Sequence, residues 1–170
     1  DDIADNPDTS SDEKISRLEG FAKVIQGEDT SSCAYAIGHQ MRDSLIETGV
    51  SKKHCLDLIT AFKQDVTKGR YQNWDELVAY CLLSAAPVGR YLIDLHGGTE
   101  DGYGPSDALC IALQVINHLQ DCKEDYLEMD RVYIPIDWMV AHGVTVENLN
   151  QPRLSYPFRQ VLDQVISATA

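Results

Sequence analysis

Basic residues are scarce in this sequence of 170 residues, where 14 Lys and Arg stand against 27 Asp and Glu and the formal net charge is −13. Nucleic-acid binding requires clustered positive charge to neutralise phosphates, so the composition argues against a nucleic-acid partner. It argues equally against a polybasic membrane anchor. An acidic balance of this size favours solubility, or partners that arrive with divalent cations.

Paired cysteines are also missing. The five cysteines are widely spaced and none belongs to a C-x-x-C pair, so the sequence favours neither a zinc knuckle nor a disulfide scaffold. We therefore expect reduced, mostly packed thiols in a cytosolic protein. They are Cys33, Cys55, Cys81, Cys110 and Cys122.

The sequence has no apolar run of the roughly 20 residues that a membrane span requires, because the longest, Leu77 to Val88, is shorter. It has no signal-peptide pattern either. It opens on D-D-I-A-D without Met or any leading residues. We expect one domain over residues 1–170, which is the internal portion of a longer chain and incomplete at both ends.

Strand-like alternation is weak, whereas apolar residues recur at helical spacing between turn signals. This pattern predicts an all-α fold with short connections. Ser11 is expected to cap the first long helix and Gly27 to close it. Pro87 is expected to kink a helix that runs from Asn73 to the Gly97-Gly98 pair. Further helices are predicted over 34–48, 51–68, 106–126, 136–142 and 158–167.

Two groups of oxygen ligands occur at helical spacing. Asp1 and Asp5 lie one turn apart and share a helix face. Asn117, Asp121 and Asp125 step by four residues and form an oblique row. Oxygen ligands suit Mg²⁺, which takes one or two carboxylates together with substrate phosphate. Two such rows facing across a bundle would hold several Mg²⁺ ions and a diphosphate, whereas either row alone is more often a solvated helix face.

Four segments together resemble the successive signatures of the squalene/phytoene synthase family: D-D-I-A-D (1–5), Y-C-L-L-S-A-A-P-V-G (80–89), A-L-Q-V-I-N-H-L-Q-D-C-K-E-D (112–125) and R-V-Y-I-P (131–135). They occur in the family's order and span nearly the whole chain. The resemblance implies an isoprenoid-synthase-type helical bundle around a central cavity. It also implies an enzymatic activity, because members of the family join two prenyl diphosphates head to head and use Mg²⁺ held by two aspartate-rich motifs.

The resemblance assigns roles to eleven residues. It makes Asp1 and Asp5 the first metal-binding pair and Asn117, Asp121 and Asp125 the second group. It places Tyr80 beside the reacting carbons, with Ser84 as the second residue that steers the cation. It implies substrate contacts for Gln114 in the channel, Ala85 at the kink, and Arg131 and Tyr133 near the diphosphate.

Two departures bear on the reaction. Many condensing members have V-A-G-x-V-G where this chain has S-A-A-P-V-G (84–89), and many have Arg where it has Gln120. Both features look more like the bacterial hydroxysqualene synthase branch of hopanoid pathways, which ionises presqualene diphosphate and lets water capture the cation. The alternatives are head-to-head condensation of two farnesyl or geranylgeranyl diphosphates, and a non-catalytic assembly or binding relative.

The resemblance also bears on partners and location. A prenyl diphosphate is the expected substrate. Because such substrates are lipids, we expect a soluble cytoplasmic protein that contacts the inner face of the membrane peripherally. The sequence predicts no particular oligomeric state.

Overall fold

Helices dominate the computed structural model, which describes residues 2–170, and no β-strand occurs within that range. The all-α prediction is confirmed. Three short 3₁₀ turns, Cys33–Tyr35, Glu100–Gly102 and Val146–Asn150, connect longer elements. The helices are α1 Asp2–Asp5, α2 Ser11–Gln26, α3 Ala36–Thr48, α4 Lys53–Thr67, α5 Trp74–Ser84, α6 Ala86–Leu95, α7 Tyr103–Gln120, α8 Cys122–Met129, α9 Ile136–Ala141 and α10 Tyr156–Thr169.

Local capping residues set the ends of the early helices. Ser10 caps α2, since its hydroxyl accepts a hydrogen bond from the backbone N–H of Glu13 at 3.3 Å, so the prediction of Ser11 as the cap is wrong by one residue. Gly27 and Gly49 end α2 and α3 at φ values of 88° and 71°. These left-handed conformations favour glycine, and the helix end predicted at Gly27 is confirmed.

The predicted interruption at Pro87 is confirmed. Helix α5 stops at Ser84, Ala85 leaves the helical conformation, and α6 then starts with Pro87 in its first turn, where the missing N–H costs no hydrogen bond. By length and composition alone, the 22 residues Trp74–Leu95 could cross a membrane, which is a longer stretch than the apolar run from Leu77 to Val88 indicated. The buried core helix of a soluble protein meets the same criteria, and Cys81 and Ala86 are fully buried.

Three later helix boundaries differ from the prediction. Helix α7 begins at Tyr103, three residues before Ser106, because Pro105 is tolerated in a first turn. The helix predicted to run on to residue 126 is interrupted at Asp121, and α8 then continues to Met129. Helix α10 begins two residues before Phe158, since Ser155 accepts a hydrogen bond from the N–H of Phe158 and caps it.

The chain divides into two compact units, of which the first comprises the chain up to Thr67 together with Leu83–Ala108. Its core forms where α4 packs against α2 and α6. Ile25, Leu45 and Val50 are buried at its centre, and partly buried apolar side chains from α3, α4 and α6 surround them. Burial of these side chains supplies the main stabilisation of the unit.

A polar network in the first unit ties α4, α6 and the start of α7 together. Asp94 accepts a hydrogen bond from the Tyr103 hydroxyl at 2.6 Å and lies 2.8 Å from Nε2 of His54. Arg90 forms a bidentate pair with Asp107 across the same connection. These partners hold the connection between α6 and α7 although it contains several glycines.

The second unit comprises Lys68–Leu82 and Leu109–Ala170. In it, the segment after α8 runs beside residues 69–72: the N–H of Val132 donates to the carbonyl of Gly69 at 2.9 Å, and that of Ile136 donates to Tyr71 at 3.0 Å. A Cβ atom on Gly69 would lie 2.7 Å from the carbonyl oxygen of Asp130, so this approach requires glycine. These bonds order the segment, which the sequence could describe only as a connection.

Candidate functional site

Helix α7 carries a stripe of exposed apolar side chains. Leu109, Leu113 and Ile116 recur at spacings of four and three residues and are 61%, 52% and 45% exposed. We call these three residues the α7 stripe. Asn117 follows directly and is also exposed, so the stripe leads into the predicted metal-binding row. Helical periodicity marked these residues as apolar but gave no sign that they face outward.

The second predicted row keeps its one-turn spacing through the break between α7 and α8. The N–H of Asp121 donates to the carbonyl of Asn117 at 3.0 Å, and that of Asp125 donates to Asp121 at 2.8 Å. Asp121 itself has φ −98° and ψ 6°, outside the helical region. The structure therefore aligns the backbones of the three predicted ligands. Metal binding by them stays a prediction.

The donor chemistry of the row fits a hard cation. Asp121 occupies the N-cap position of α8, yet its exposed carboxylate makes no capping hydrogen bond. Within residues 2–170, no three or more His, Cys, Asp and Glu side chains converge into a closed metal cluster. An open row of amide and carboxylate oxygens suits Mg²⁺ that is shared with a phosphate ligand, since Mg²⁺ takes few protein ligands.

The first predicted motif is described in part. Asp1 lies outside the described residues, and Asp5 is exposed at the end of α1. Ile3 of the same helix lines an apolar groove of about 390 Å³ together with side chains of α2, α3 and α4, including Phe21 and Phe62. The described acid of this motif thus belongs to a helix that borders an apolar surface. Metal binding by Asp5 stays a prediction.

An aromatic cluster lies inside the second unit. The rings of Tyr71, Tyr80 and Tyr133 are mutually separated by 5.2–5.5 Å, and all three side chains are buried. His118 stacks on Tyr133 with a centroid distance of 3.6 Å and an interplanar angle of 14°. Of these residues, sequence reasoning selected Tyr80 and Tyr133 for a site. It missed Tyr71, and it considered His118 only as a neighbour of the metal-binding row.

Gln114 is connected to this cluster through His118. The Nε2 atoms of the two side chains are 3.1 Å apart, which is hydrogen-bond distance. Burial lowers the pKa of His118 to about 3, because the low-dielectric surroundings disfavour the imidazolium. The imidazole is therefore neutral at ordinary pH, and the structure links Gln114 to Tyr133 through one uncharged ring.

Arg131 lies in the chain between Asp125, the last residue of the row, and Tyr133 of the aromatic cluster, and it is 8% exposed. Its backbone N–H donates to the carbonyl of Asp125 at 3.1 Å, and its guanidinium donates to Sδ of Met129 at 3.4 Å. The fold thus joins Arg131 to the end of the row. Its contact with a diphosphate stays a prediction.

The two remaining predicted site residues, Ser84 and Ala85, belong to the first unit. Ala85 is 8% exposed and forms the break between α5 and α6. The hydroxyl of Ser84 is buried and has no hydrogen-bond partner in the described part of the chain. An unpaired buried hydroxyl costs about 1–3 kcal/mol, so Ser84 is an unfavourable residue for packing alone.

Solved structures show which class of helical protein this is. The fold matches squalene synthase HpnC from Alicyclobacillus acidocaldarius with a TM-score of 0.81 at 27% identity, over 99% of this chain and 63% of that one. It also matches the fold of a dehydrosqualene synthase with a TM-score of 0.81 at 19% identity. The predicted isoprenoid-synthase-type fold class is confirmed.

The sequence comparison defines the family. The squalene/phytoene synthase family model matches residues 1–170. Hydroxysqualene synthase from Sinorhizobium fredii is 44% identical over 95% of this chain, and that from Rhodopseudomonas palustris is 41% identical over all of it. The chain belongs to the squalene/phytoene synthase family. It spans about half the length of these curated relatives, 54% and 57%.

Proposed function

We propose that the full-length protein is a Mg²⁺-dependent enzyme that ionises a prenyl diphosphate, and that it converts presqualene diphosphate to hydroxysqualene in the formation of squalene or hopanoids. The α7 stripe and its continuation into Asn117 and Asp121 carry this proposal. Helix α7 thus presents an apolar surface that is followed, at its C-terminal end, by oxygen-bearing side chains. This order matches a ligand with an apolar tail and a diphosphate head. Identities of 41–44% to hydroxysqualene synthases support the choice of reaction.

Substrate binding divides between the two parts of this surface. The α7 stripe packs against the prenyl tail and excludes water, with a gain of about 25 cal/mol per Å² of apolar surface buried. The oxygens of Asn117, Asp121 and Asp125 hold Mg²⁺, with Asp1 and Asp5 as the other predicted ligands. When bound there, Mg²⁺ would neutralise the negative charge that develops on the departing diphosphate. Arg131 contacts the substrate near its diphosphate, and Gln114 contacts it in the channel.

One buried aromatic ring acts on the carbocation that remains. The π face of Tyr80 attracts positive charge, and this attraction is stronger where water is excluded. Tyr133 contacts the substrate near its diphosphate. The hydroxyl of Ser84 adds a polar group that has no hydrogen-bond partner among residues 2–170, and Ala85 contributes a small wall residue at the helix break. Water then attacks the cation and loses a proton, which gives the alcohol.

The proposal is tested with the purified full-length protein and presqualene diphosphate, without NADPH. We expect release of diphosphate that depends on Mg²⁺, and hydroxysqualene as the product. Release of diphosphate with hydrocarbon as the only product would contradict the water-capture step. If no diphosphate is released from presqualene or farnesyl diphosphate, the non-catalytic alternative is favoured.

Condensation of two farnesyl or geranylgeranyl diphosphates is the second candidate. It is supported by the structural match to an enzyme named squalene synthase and by 36% identity over 107 residues to phytoene synthase from Thermus thermophilus. The same assay with farnesyl or geranylgeranyl diphosphate as the sole substrate separates the two reactions. A condensing enzyme forms a coupled product from it, whereas an enzyme restricted to presqualene diphosphate does not.

We also propose a cytoplasmic location with peripheral contact at the inner face of the membrane. The support for this is chemical. A prenyl substrate partitions into lipid, so an enzyme that collects it gains by approaching the bilayer surface. Exposed apolar side chains on α6, such as Leu92 at 50% exposure, are compatible with such a contact.

A further inference from the structure

One buried side chain makes two different contacts in the second unit. The ring face of His118 stacks on Tyr133 at 3.6 Å, while its Nε2 atom lies 3.1 Å from Nε2 of Gln114. His118 is 9% exposed and Gln114 is half-buried. A face contact and an edge contact together fix both the position and the rotation of an imidazole ring.

The chemistry of these atoms determines the direction of the hydrogen bond. The amide nitrogen of Gln114 is a donor only, so Nε2 of His118 must accept. An imidazole ring whose Nε2 accepts a hydrogen bond carries its proton on Nδ1. With its NH₂ group held by His118, Gln114 turns its carbonyl oxygen away from the ring and keeps that oxygen as an acceptor.

We propose that His118 is a positioning residue: its ring, stacked on Tyr133, fixes the carboxamide of Gln114 in the orientation required for reaction of a prenyl diphosphate. This role rests on the proposed function, in which both partners contact the substrate. His118 itself need touch neither substrate nor metal. Its ring lies on the buried side of α7, whereas the preceding residue, Asn117, is exposed.

Two substitutions separate the two contacts in the full-length protein. His118→Phe keeps a flat ring for stacking and loses the acceptor, whereas His118→Gln keeps an acceptor at nearly the same reach and loses the ring. Loss of the acceptor frees the Gln114 amide, so we expect His118→Phe to lower kcat about tenfold or more with KM within about twofold, because small misplacements of positioning groups act on turnover. His118→Gln is expected to recover turnover to within about threefold of the wild type.

A double-mutant cycle tests whether His118 acts through Gln114. If it does, His118→Phe combined with Gln114→Leu is no slower than Gln114→Leu alone, since the second change removes a group that is already misoriented. Multiplication of the two single effects would overturn the proposal. His96→Phe, at an exposed position of the first unit, is the control and is expected to remain within about twofold of the wild type.

A measurement without turnover separates failure of this inference from failure of the proposed function. In ¹⁵N spectra of the histidine rings, we expect the ring proton of His118 on Nδ1 and a shift of its Nε2 resonance in Gln114→Leu. A proton on Nε2, or an unchanged Nε2 resonance, would overturn the inference whatever the activity. A wild-type protein that shows the expected spectrum but releases no diphosphate would disprove only the enzymatic proposal.

Discussion

Asp121 is the residue on which the proposed chemistry depends most directly. Its exposed carboxylate makes no capping hydrogen bond to α8. Its backbone is hydrogen-bonded to both Asn117 and Asp125. We expect Asp121→Ala to lower turnover of the full-length protein by about 10²-fold or more, because charge neutralisation at the leaving diphosphate is lost. Steady-state kinetics measure the loss, and far-ultraviolet circular dichroism is expected to remain nearly unchanged.

Glu128→Ala provides the matched control for this prediction. Glu128 is also exposed and lies on α8, but it is not part of the row. Its replacement is expected to leave turnover within about twofold of the wild type. Near-normal turnover of Asp121→Ala would remove Asp121 from the metal-binding role.

Residues of the site differed in how far the sequence revealed them. Tyr80 and Tyr133 were found because each lies in a recognisable motif. Tyr71 was missed, since its contact with Tyr133 joins positions 62 residues apart that no periodicity connects. His118 was predicted only as a neighbour of the metal-binding row and not as a ligand, and its stacking and hydrogen bond require coordinates. The exposure of the α7 stripe did not follow from the sequence either, because a periodic apolar helix face is ordinarily packed against the protein core.

At the scale of elements, the hydrogen bond between Tyr103 and Asp94 holds the connection from α6 to α7. The bond lowers the pKa of Asp94, with a smaller contribution from His54, and raises the pKa of Tyr103 to about 12. A lowered carboxyl pKa means that this stabilisation is present above about pH 4 and is lost as pH falls through the folded-state value. The raised pKa of Tyr103 means that the same stabilisation is complete below about pH 10 and is lost as pH rises through about 12.

Tyr103→Phe is therefore expected to lower the free energy of unfolding by about 1 kcal/mol at neutral pH. The difference from the wild type should be constant between about pH 5 and pH 9 and should shrink below about pH 4, where Asp94 becomes protonated. Urea unfolding across this range provides the measurement. Tyr156→Phe, at a side chain that is 74% exposed, is the control and should change little at any pH. A deficit that persists undiminished in acid would contradict the role of Asp94.

Helix breaks were predictable where the chain carries a special residue. Pro87 cannot donate a backbone hydrogen bond, so the break near Ala85 follows from the sequence. The break at Asp121 has no proline or glycine beside it and was not predicted. The early start of α7 does not follow from the sequence, because proline is typical of loops although it is acceptable in the first turn of a helix. Such cases depend on tertiary packing rather than on local preference.

At the scale of the whole molecule, the exposed apolar side chains and the negative net charge have opposite effects on the proposed membrane contact. Exposed apolar side chains favour a bilayer surface, whereas the 27 acidic residues of this chain repel anionic lipid. We expect the full-length protein to co-sediment with uncharged phosphatidylcholine vesicles and to bind several-fold more weakly when a third of the lipid is phosphatidylserine. At about 0.5 M NaCl this difference should largely disappear through screening. Absence from both vesicle pellets would contradict the peripheral contact.

The uncapped start of α8 has a consequence for how this region tolerates change. Aspartate at an N-cap ordinarily contributes about 1 kcal/mol by accepting a backbone N–H, and here the side chain does not do so. Any rearrangement that turned the Asp121 oxygens onto the first amides of α8 would strengthen the helix and withdraw a ligand from a cation. Selection for thermal robustness and selection for ion affinity therefore act in opposite directions on a single torsion angle.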